Sequence, residues 1–220
     1  YFGVESPKQS WCFEDISCQT NVMTVDNLDL LSVQSLDQLA EIRDPVILQE
    51  AILRLRQEYD YILIDTPPAM SLLSASVAVY ADYIIIPCDM DSMGFAATKN
   101  VIDFLDHFKD QTQELMAKVL GVLPVKVDLR RNLDNLILDQ LYALDENDLL
   151  KGAWVLSPIR QSSNIKTAQA RKKFVQEPFA GKPLAEDYAK VTGEILEFIK
   201  EDKEKIVSNI SKSVEAEVRA

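Results

Sequence analysis

Runs of apolar residues, separated by mixed patterns of helical period, divide the chain into a series of predicted strands and helices. Two uninterrupted runs, residues 61 to 64 and 83 to 87, predict strands that are buried on both faces, as in parallel sheets. Residues 72 to 80 predict a helix between them, which makes a parallel crossover unit. A third run, at 119 to 125, predicts the next strand. This order predicts an α/β fold with three layers, a mostly parallel sheet flanked by helices.

The remaining segments continue this alternation less clearly. Residues 5 to 27 lack a clear period and are interpreted as a loop or a short helix, whereas residues 28 to 33 alternate well enough for a strand. In a predicted helix from residue 133 to 143, we expect Leu136, Ile137 and Leu141 to point inward. The other predicted elements are helices at 95 to 108 and 164 to 175 and a last strand at 153 to 156.

An acidic residue, Asp65, directly follows the first apolar run. A carboxylate at the tip of a buried strand is costly unless a partner offsets its desolvation, and in nucleotide sites that partner is usually magnesium or its bound water. Pro67 and Pro68 then end the strand, because proline cannot donate to the ladder. Taken alone, the pattern also fits a plain strand followed by a turn.

Residues 62 to 68, with the sequence ILIDTPP, resemble the Walker B element of the ParA/MinD group of deviant Walker P-loop ATPases. The closing segment, with GKP at 181 to 183, also resembles that family. In the family this aspartate acts on magnesium and water at the triphosphate. The resemblance therefore implies that Asp65 is the catalytic residue and holds Mg²⁺ through water, and that Thr66 and Pro67 shape the nucleotide-binding loop beside it.

The sequence departs from the family at its N-terminus. The family's phosphate-binding loop precedes the equivalent of Tyr1, and no GKT or GKS triplet occurs anywhere in these residues. We therefore expect residues 1 to 200 to form a ParA-like nucleotide-binding domain that lacks its P-loop part, followed by a charged helical extension at 201 to 220. Such a chain should bind ATP poorly by itself. It should also be prone to aggregation, because the loss of a central strand leaves apolar sheet edges unpaired.

The adenine contact implied by the resemblance lies at the end of the strand at 119 to 125 and in the loop after it. We therefore name Val125 and Asp128 as candidates for binding the nucleotide. Valine stands where the family often has threonine or asparagine, and its side chain cannot form that hydrogen bond. The adenine contact is the weakest part of the resemblance for this reason.

The charge distribution bears on nucleic-acid binding. The chain has 35 acidic and 23 basic residues, a net charge of −12, which argues against broad attraction to nucleic acid but allows a local basic patch. Residues 149 to 176 contain basic residues and no acidic one. The candidates for contacts with DNA phosphates are Arg160, Lys166, Arg171, Lys172 and Lys173. A solvated helix face is the alternative interpretation of this cluster.

The resemblance implies a partition ATPase that binds ATP and Mg²⁺, forms a homodimer, binds DNA nonspecifically and is reset when a ParB-like DNA-binding activator protein stimulates hydrolysis. Two alternatives stay open: a related ATPase that positions another cargo, and a nucleotide-free binding or dimerisation module. No apolar run approaches the length of a membrane span, and the extension balances lysine with glutamate, so we expect no membrane partner. We expect the protein in the cytoplasm, associated with the nucleoid.

Overall fold

The computed structural model describes residues 10–12, 19–25, 28–33, 49, 52–66, 72–112, 117–147, 149–150, 152–171 and 182–219. The chain divides into two compact units. One unit comprises Tyr1–Asp82 and Lys109–Lys118, and the other comprises Tyr83–Phe108 and Val119–Ala220.

The first unit contains a three-stranded antiparallel sheet of β1 (Ser10–Cys12), β2 (Gln19–Val25) and β3 (Leu28–Val33), in that order. Thr20 lies opposite Val33 in the β2–β3 ladder. The strand predicted at 28 to 33 is confirmed, whereas the prediction of a loop or short helix at 5 to 27 is wrong where β1 and β2 lie. The β2 sequence, QTNVMTV, has β-branched residues at alternate positions, a strand preference that outweighs its polar composition.

The first unit also contains helix α1 (Leu72–Tyr80), which has the predicted bounds and buries Val77 and Ala78. The buried strand predicted at 61 to 64 is absent: residues 61 to 66 have no regular secondary structure, and Leu63 is 90% exposed. A strand forms only where a neighbour accepts and donates its ladder hydrogen bonds. Nothing in the described part of the chain pairs with these residues, so their apolar character alone does not make them a strand.

The second unit is built on a three-stranded parallel sheet in the order β4-β5-β6. Its strands are β4 (Tyr83–Asp89), β5 (Lys118–Val125) and β6 (Trp154–Val155), and they confirm three predicted strands. Helix α2 (Ser92–Thr112) connects β4 to β5, and α3 (Asn132–Glu146) connects β5 to β6. Helices α4 (Asn164–Arg171) and α5 (Lys182–Arg219) follow. Strand–helix–strand connections are therefore present in this unit, whereas the crossover unit predicted at residues 61 to 87 is not found, because residues 61 to 64 do not form a strand.

Helices cover both faces of this sheet, which confirms the three-layer α/β class. On one face, Ile86 and Val122 of the strands pack in a common core with Ile102 of α2 and Leu141 of α3. On the other face, Leu120 and Leu156 pack against Phe198 of α5. Each face excludes water from the strands between the helices, as a parallel sheet requires.

Helix α3 corrects one prediction about the core. Ile137 and Leu141 are buried as expected, but Leu136 is 54% exposed. The buried face is formed by Asp134, Ile137, Leu138 and Leu141, which follow the spacing of an amphipathic helix. Leu136 lies about 100° from Ile137 around the helix axis and therefore falls outside this face.

Candidate functional site

Asp65 and Thr66 are both exposed at the end of the irregular segment 61 to 66, in the first unit. Pro67 lies outside the described residues. The described residues contain no group of three or more histidine, cysteine or acidic side chains that could hold a metal ion. Mg²⁺ usually keeps several waters and takes one or two carboxylates together with phosphate oxygens, so a single accessible carboxylate such as Asp65 fits that ion.

In the second unit, a network of charged side chains forms where β4 and β5 end, the position at which parallel sheets bind ligands. Lys126 follows β5 directly, and its Nζ lies 2.7 Å from Oδ2 of Asp89, the last residue of β4. Lys126 has φ = 58°, a left-handed conformation that lysine rarely adopts. The chain therefore turns sharply at the end of β5, and the ion pair joins the ends of the two strands. A lysine at this position gives no sequence signal of such a turn, and Lys126 was not predicted as a site residue.

Val125 and Asp128, the two candidates for the adenine contact, lie in this same loop. Val125 is half-buried at the end of β5. Arg130 donates from Nε and Nη2 to the two carboxylate oxygens of Asp128, at 2.8 and 2.7 Å. Hydrogen bonds from the Arg130 side chain and backbone hold the pKa of Asp128 at about 2. Asp128 is therefore ionised at neutral pH.

A buried carboxylate that the sequence analysis missed, Asp134, supports this loop from the first turn of α3. It is fully buried, and its Oδ2 accepts a hydrogen bond of 2.9 Å from the backbone N–H of Asp128. Its Oδ1 lies 3.5 Å from Nε of Arg131. An acid in the first turn also interacts favourably with the helix dipole. The sequence signal for Asp134 was its position in the first turn of a predicted helix, where acidic residues are favoured.

The segment after β6 runs beside the β5 loop. The N–H of Val127 donates to the carbonyl of Ile159 at 3.0 Å, and Gln161 donates back to Val127 at 2.8 Å. Arg160, between these two residues, is predicted to contact DNA. Its Nη2 donates to Oδ1 of Asp187 at 2.7 Å. That pairing raises the pKa of Arg160 and lowers the pKa of Asp187. The guanidinium is therefore bound within the unit.

Two of the other four residues of the basic cluster lie within the described part of the chain. Lys166 is exposed on α4, and Arg171 is the last residue of that helix. Lys172 and Lys173 lie outside the described residues. The structure therefore brings Val125, Asp128 and the backbone of Arg160 to one edge of the sheet, with Lys166 on the helix that follows.

Sequence comparison decides the family. The profile of a family described as an AAA domain matches residues 9–118, half of the chain. A ParA family protein from Mycoplasma pneumoniae is 24% identical over 151 residues, which cover 68% of this chain and 55% of the relative. The sporulation initiation inhibitor protein Soj from Bacillus subtilis is 27% identical over 155 residues, covering 63% of this chain and 60% of Soj. The chain belongs to the ParA-like family.

Solved structures of the ParA/MinD group share the fold of this ParA-like chain. Apo McdA from Cyanothece has a TM-score of 0.64 at 17% identity, covering 79% of this chain and 71% of that one. The septum site-determining protein MinD from Pyrococcus horikoshii, complexed with Mg-ADP, has a TM-score of 0.59 at 17% identity, with 79% and 66% covered. At this identity the likeness shows the fold alone.

The ParA-like chain spans a little more than half of the length of the curated relatives. In the part of the chain that the structure describes, no helix is both long and apolar enough to cross a membrane.

Proposed function

We propose that this protein is a ParA-type ATPase that partitions a plasmid or chromosome. It binds ATP and Mg²⁺, forms a homodimer, binds DNA nonspecifically and is reset by ATP hydrolysis with a ParB-like activator. The observation that carries this proposal is the family match over residues 9–118, which include Asp65. The similarity to Soj and to a chromosome partitioning protein ParA from Myxococcus xanthus supports it.

In this proposal Asp65 is the catalytic carboxylate, and it holds Mg²⁺ through water. The exposure of its side chain supports this assignment, because an accessible carboxylate can meet a hydrated ion and phosphate oxygens without being desolvated first. When bound, the metal neutralises charge on the phosphates. In this proposal Thr66 and Pro67 shape the nucleotide-binding loop beside Asp65.

The adenine assignment rests on the loop after β5. Because the Val125 side chain has no polar atom, it offers only apolar contact and its backbone groups. The ionised carboxylate of Asp128 accepts hydrogen bonds and has lone pairs beyond those used by Arg130. We therefore propose that an adenine amino group donates to Asp128, and that Asp134 holds the backbone of this loop in place.

The proposed DNA contacts come from the cluster at 160 to 173, and they are not equivalent. Lys166 is exposed, so its ammonium group can approach a phosphate directly. Arg160 has five N–H donors and gives two of its side-chain nitrogens to Asp187, which leaves fewer for a phosphate. We therefore rank Lys166 above Arg160 as a DNA contact; Arg171, Lys172 and Lys173 are the other proposed contacts.

Nucleotide-dependent DNA binding tests this function. The protein from the complete reading frame that contains these residues is mixed with nonspecific duplex DNA, with ATP, with ADP or without nucleotide. We expect binding with ATP and at least about tenfold weaker binding in the other two conditions, because only the ATP-bound dimer presents the cluster twice. Equal binding in all three conditions would favour the nucleotide-free binding module instead.

A second candidate is an ATPase of the same kind that positions a cargo other than a replicon. The family match over residues 9–118 supports it equally, because that match does not identify the cargo. The DNA-binding experiment separates the two candidates. A protein of the second kind would hydrolyse ATP, but it would not bind DNA even in the presence of ATP.

A further inference from the structure

The chain that leaves β6 uses every backbone N–H group from residue 156 to residue 161 in a hydrogen bond; Pro158 has no N–H to donate. Three of these groups donate to carbonyls of β5 and of the loop after it, at 2.8 or 2.9 Å: Leu156 to Val122, Ile159 to Pro124 and Gln161 to Val127. The other two donate to carboxylates of α5: Ser157 to Glu194 at 2.9 Å and Arg160 to Asp187 at 3.1 Å. The two carboxylates therefore take the edge of this segment at which a further strand would pair.

Asp187 and Glu194 approach the segment from one side of α5. They are seven residues apart, nearly two helical turns, so they lie within about 20° of each other around the axis. Each also accepts a hydrogen bond from a side chain of the segment: the Ser157 hydroxyl donates to Glu194 at 2.5 Å, and the Arg160 guanidinium donates to Asp187. Hydrogen bonds to an ionised acceptor are stronger than those between neutral groups. Helix α5 therefore fixes both the backbone and the side chains of Ser157 and Arg160.

Ile159 adds an apolar contact between these two polar ones. Its side chain is buried and packs in one cluster with Leu184 and Val191 of α5. Its backbone meets the other side of the segment, where its carbonyl accepts a hydrogen bond of 3.0 Å from the N–H of Val127. Residues 157 to 161 therefore join α5 to the loop after β5.

Val127 receives this segment at the candidate nucleotide site. It is buried, its N–H donates to Ile159, and its carbonyl accepts from Gln161. Asp128, the proposed adenine contact, is the next residue along the chain, and Lys126, with its left-handed backbone, is the one before. A strained backbone conformation persists only where the surrounding contacts fix it. The contacts of Val127 with the segment therefore help to hold both of its neighbours in place.

We propose that Glu194 is a positioning residue for recognition of the nucleotide base. It acts through the 157–161 segment and Val127 on the carboxylate of Asp128. This inference rests on the adenine contact of the proposed function. Adenine presents an amino group where guanine presents a carbonyl oxygen, so a carboxylate held at hydrogen-bond distance accepts from adenine and repels guanine. Loss of the Glu194 contact lets the loop after β5 move, which weakens this preference.

The relative affinity for ATP and GTP tests this role in the complete protein. The wild type should bind ATP at least about tenfold more tightly than GTP. Glu194→Ala should reduce that ratio by about fivefold or more, because the Ser157 N–H loses its acceptor and the segment shifts. Glu194→Gln keeps one acceptor oxygen and should give an intermediate ratio. A variant that is merely less stable loses affinity for both nucleotides by the same factor, so its ratio stays unchanged.

Glu197→Ala is the matched control, because Glu197 is an exposed acid on the same helix. It should keep the wild-type ratio of ATP to GTP affinity. A ratio that is unchanged in Glu194→Ala, or lowered equally in the two variants, would overturn the positioning role and leave the adenine contact standing. A wild type that binds GTP as tightly as ATP would overturn the adenine contact itself, and this inference with it.

Hydrogen exchange in the protein without nucleotide tests the structural step separately. In Glu194→Ala the amides of Ser157 and Val127 should both exchange about tenfold faster or more than in the wild type. Glu197→Ala should change neither amide. Faster exchange at Ser157 alone would show that the segment does not connect Glu194 to the loop after β5, and would overturn the proposal.

Discussion

The guanidinium group of Arg160 and the carboxylate of Asp187 join the segment after β6 to α5 through hydrogen bonds of 2.5 and 2.7 Å. The Asp187 side chain is 13% exposed and that of Arg160 is 50% exposed. Arg160 is a candidate DNA contact, and this pair gives it a structural role in the free protein. A role in DNA binding and a structural role in the ion pair predict different effects of substitution at Arg160.

The first prediction concerns pH. Asp187→Asn should lower the free energy of unfolding at pH 7 by about 1 kcal/mol, a small value because solvent screens half of Arg160. Arg160 lowers the folded-state pKa of Asp187 below its unfolded value. The stabilisation is therefore present above about pH 4 and is lost as the pH falls through the folded pKa. Denaturant unfolding of the complete protein at pH 7 and at pH 3 measures the difference in unfolding free energy between the wild type and Asp187→Asn. This difference should be smaller at pH 3.

Glu197→Gln is the control for the first prediction, since Glu197 is an exposed acid on the same helix. It should change stability little at either pH. An Asp187→Asn effect that persists unchanged at pH 3 would show that the ion pair is not its cause.

The second prediction separates Lys166 from Arg160 in DNA binding. Lys166→Glu should weaken binding of nonspecific DNA and reduce the slope of log K against log salt by about one or more, because a phosphate contact is lost. Arg160→Ala should change the free energy of unfolding more than it changes DNA affinity. Salt titrations of DNA binding, together with unfolding curves, measure both effects.

Lys200→Glu is the control for that experiment, because it reverses an exposed charge on α5 outside the cluster. If Lys200→Glu lowers DNA affinity as much as Lys166→Glu does, the cause is general charge repulsion. The basic cluster would then be a solvated helix face.

The third prediction concerns the close approach of β5 and β6. A Cβ atom at Gly121 would lie 2.6 Å from the carbonyl oxygen of Trp154, a backbone atom that cannot move aside cheaply. Gly121→Ala should therefore destabilise the protein by about 1–3 kcal/mol. Gly193→Ala is the control, since a Cβ there meets nothing within 4 Å. In helix α5 it should be neutral or stabilising by up to about 1 kcal/mol. Thermal unfolding of both variants checks the prediction, and an equal change in Tm would contradict it.

The fourth prediction concerns Asp134. Asp134→Ala removes the acceptor for the buried N–H of Asp128 and should cost about 1–3 kcal/mol of unfolding free energy. Asp139→Ala, on the exposed side of the same helix, should change stability by much less. Hydrogen exchange at the Asp128 amide gives a local readout, since that amide should exchange faster in Asp134→Ala alone. Unchanged exchange there would mean that Asp134 does not hold the loop.

Two of the long apolar runs could be predicted as strands, because a continuous apolar sequence favours burial on both faces of a sheet. Residues 83 to 87 and 119 to 125 are strands, and the helix predicted at 72 to 80 has those bounds in the structure. The run at 61 to 64 shows the limit of this reasoning. Hydrophobicity favours burial, but a strand also needs a partner for its backbone, and a single sequence does not identify that partner.

The candidate site was harder to predict than the fold, because its geometry depends on contacts between distant residues. Asp128 could be named from the family resemblance, which implies an adenine contact in the loop after a strand, whereas the Lys126–Asp89 ion pair joins residues 37 positions apart. The structural role of Arg160 likewise depends on Asp187, 27 residues away. The sequence identifies Arg160 as basic, but only the fold shows that its acidic partner is Asp187.

The most direct test of the central claim is ATP hydrolysis by the complete protein and by its Asp65→Asn variant, with DNA present. Asp60→Asn is the matched control, because Asp60 is an exposed acid directly before the segment that contains Asp65. If Asp65 holds magnesium and water at the triphosphate, Asp65→Asn should lower kcat by about a hundredfold or more, and Asp60→Asn should leave it within about twofold. Equal activity in the Asp65→Asn variant and the wild type, or no hydrolysis by the wild type, would contradict the assignment of this protein as a ParA-type ATPase.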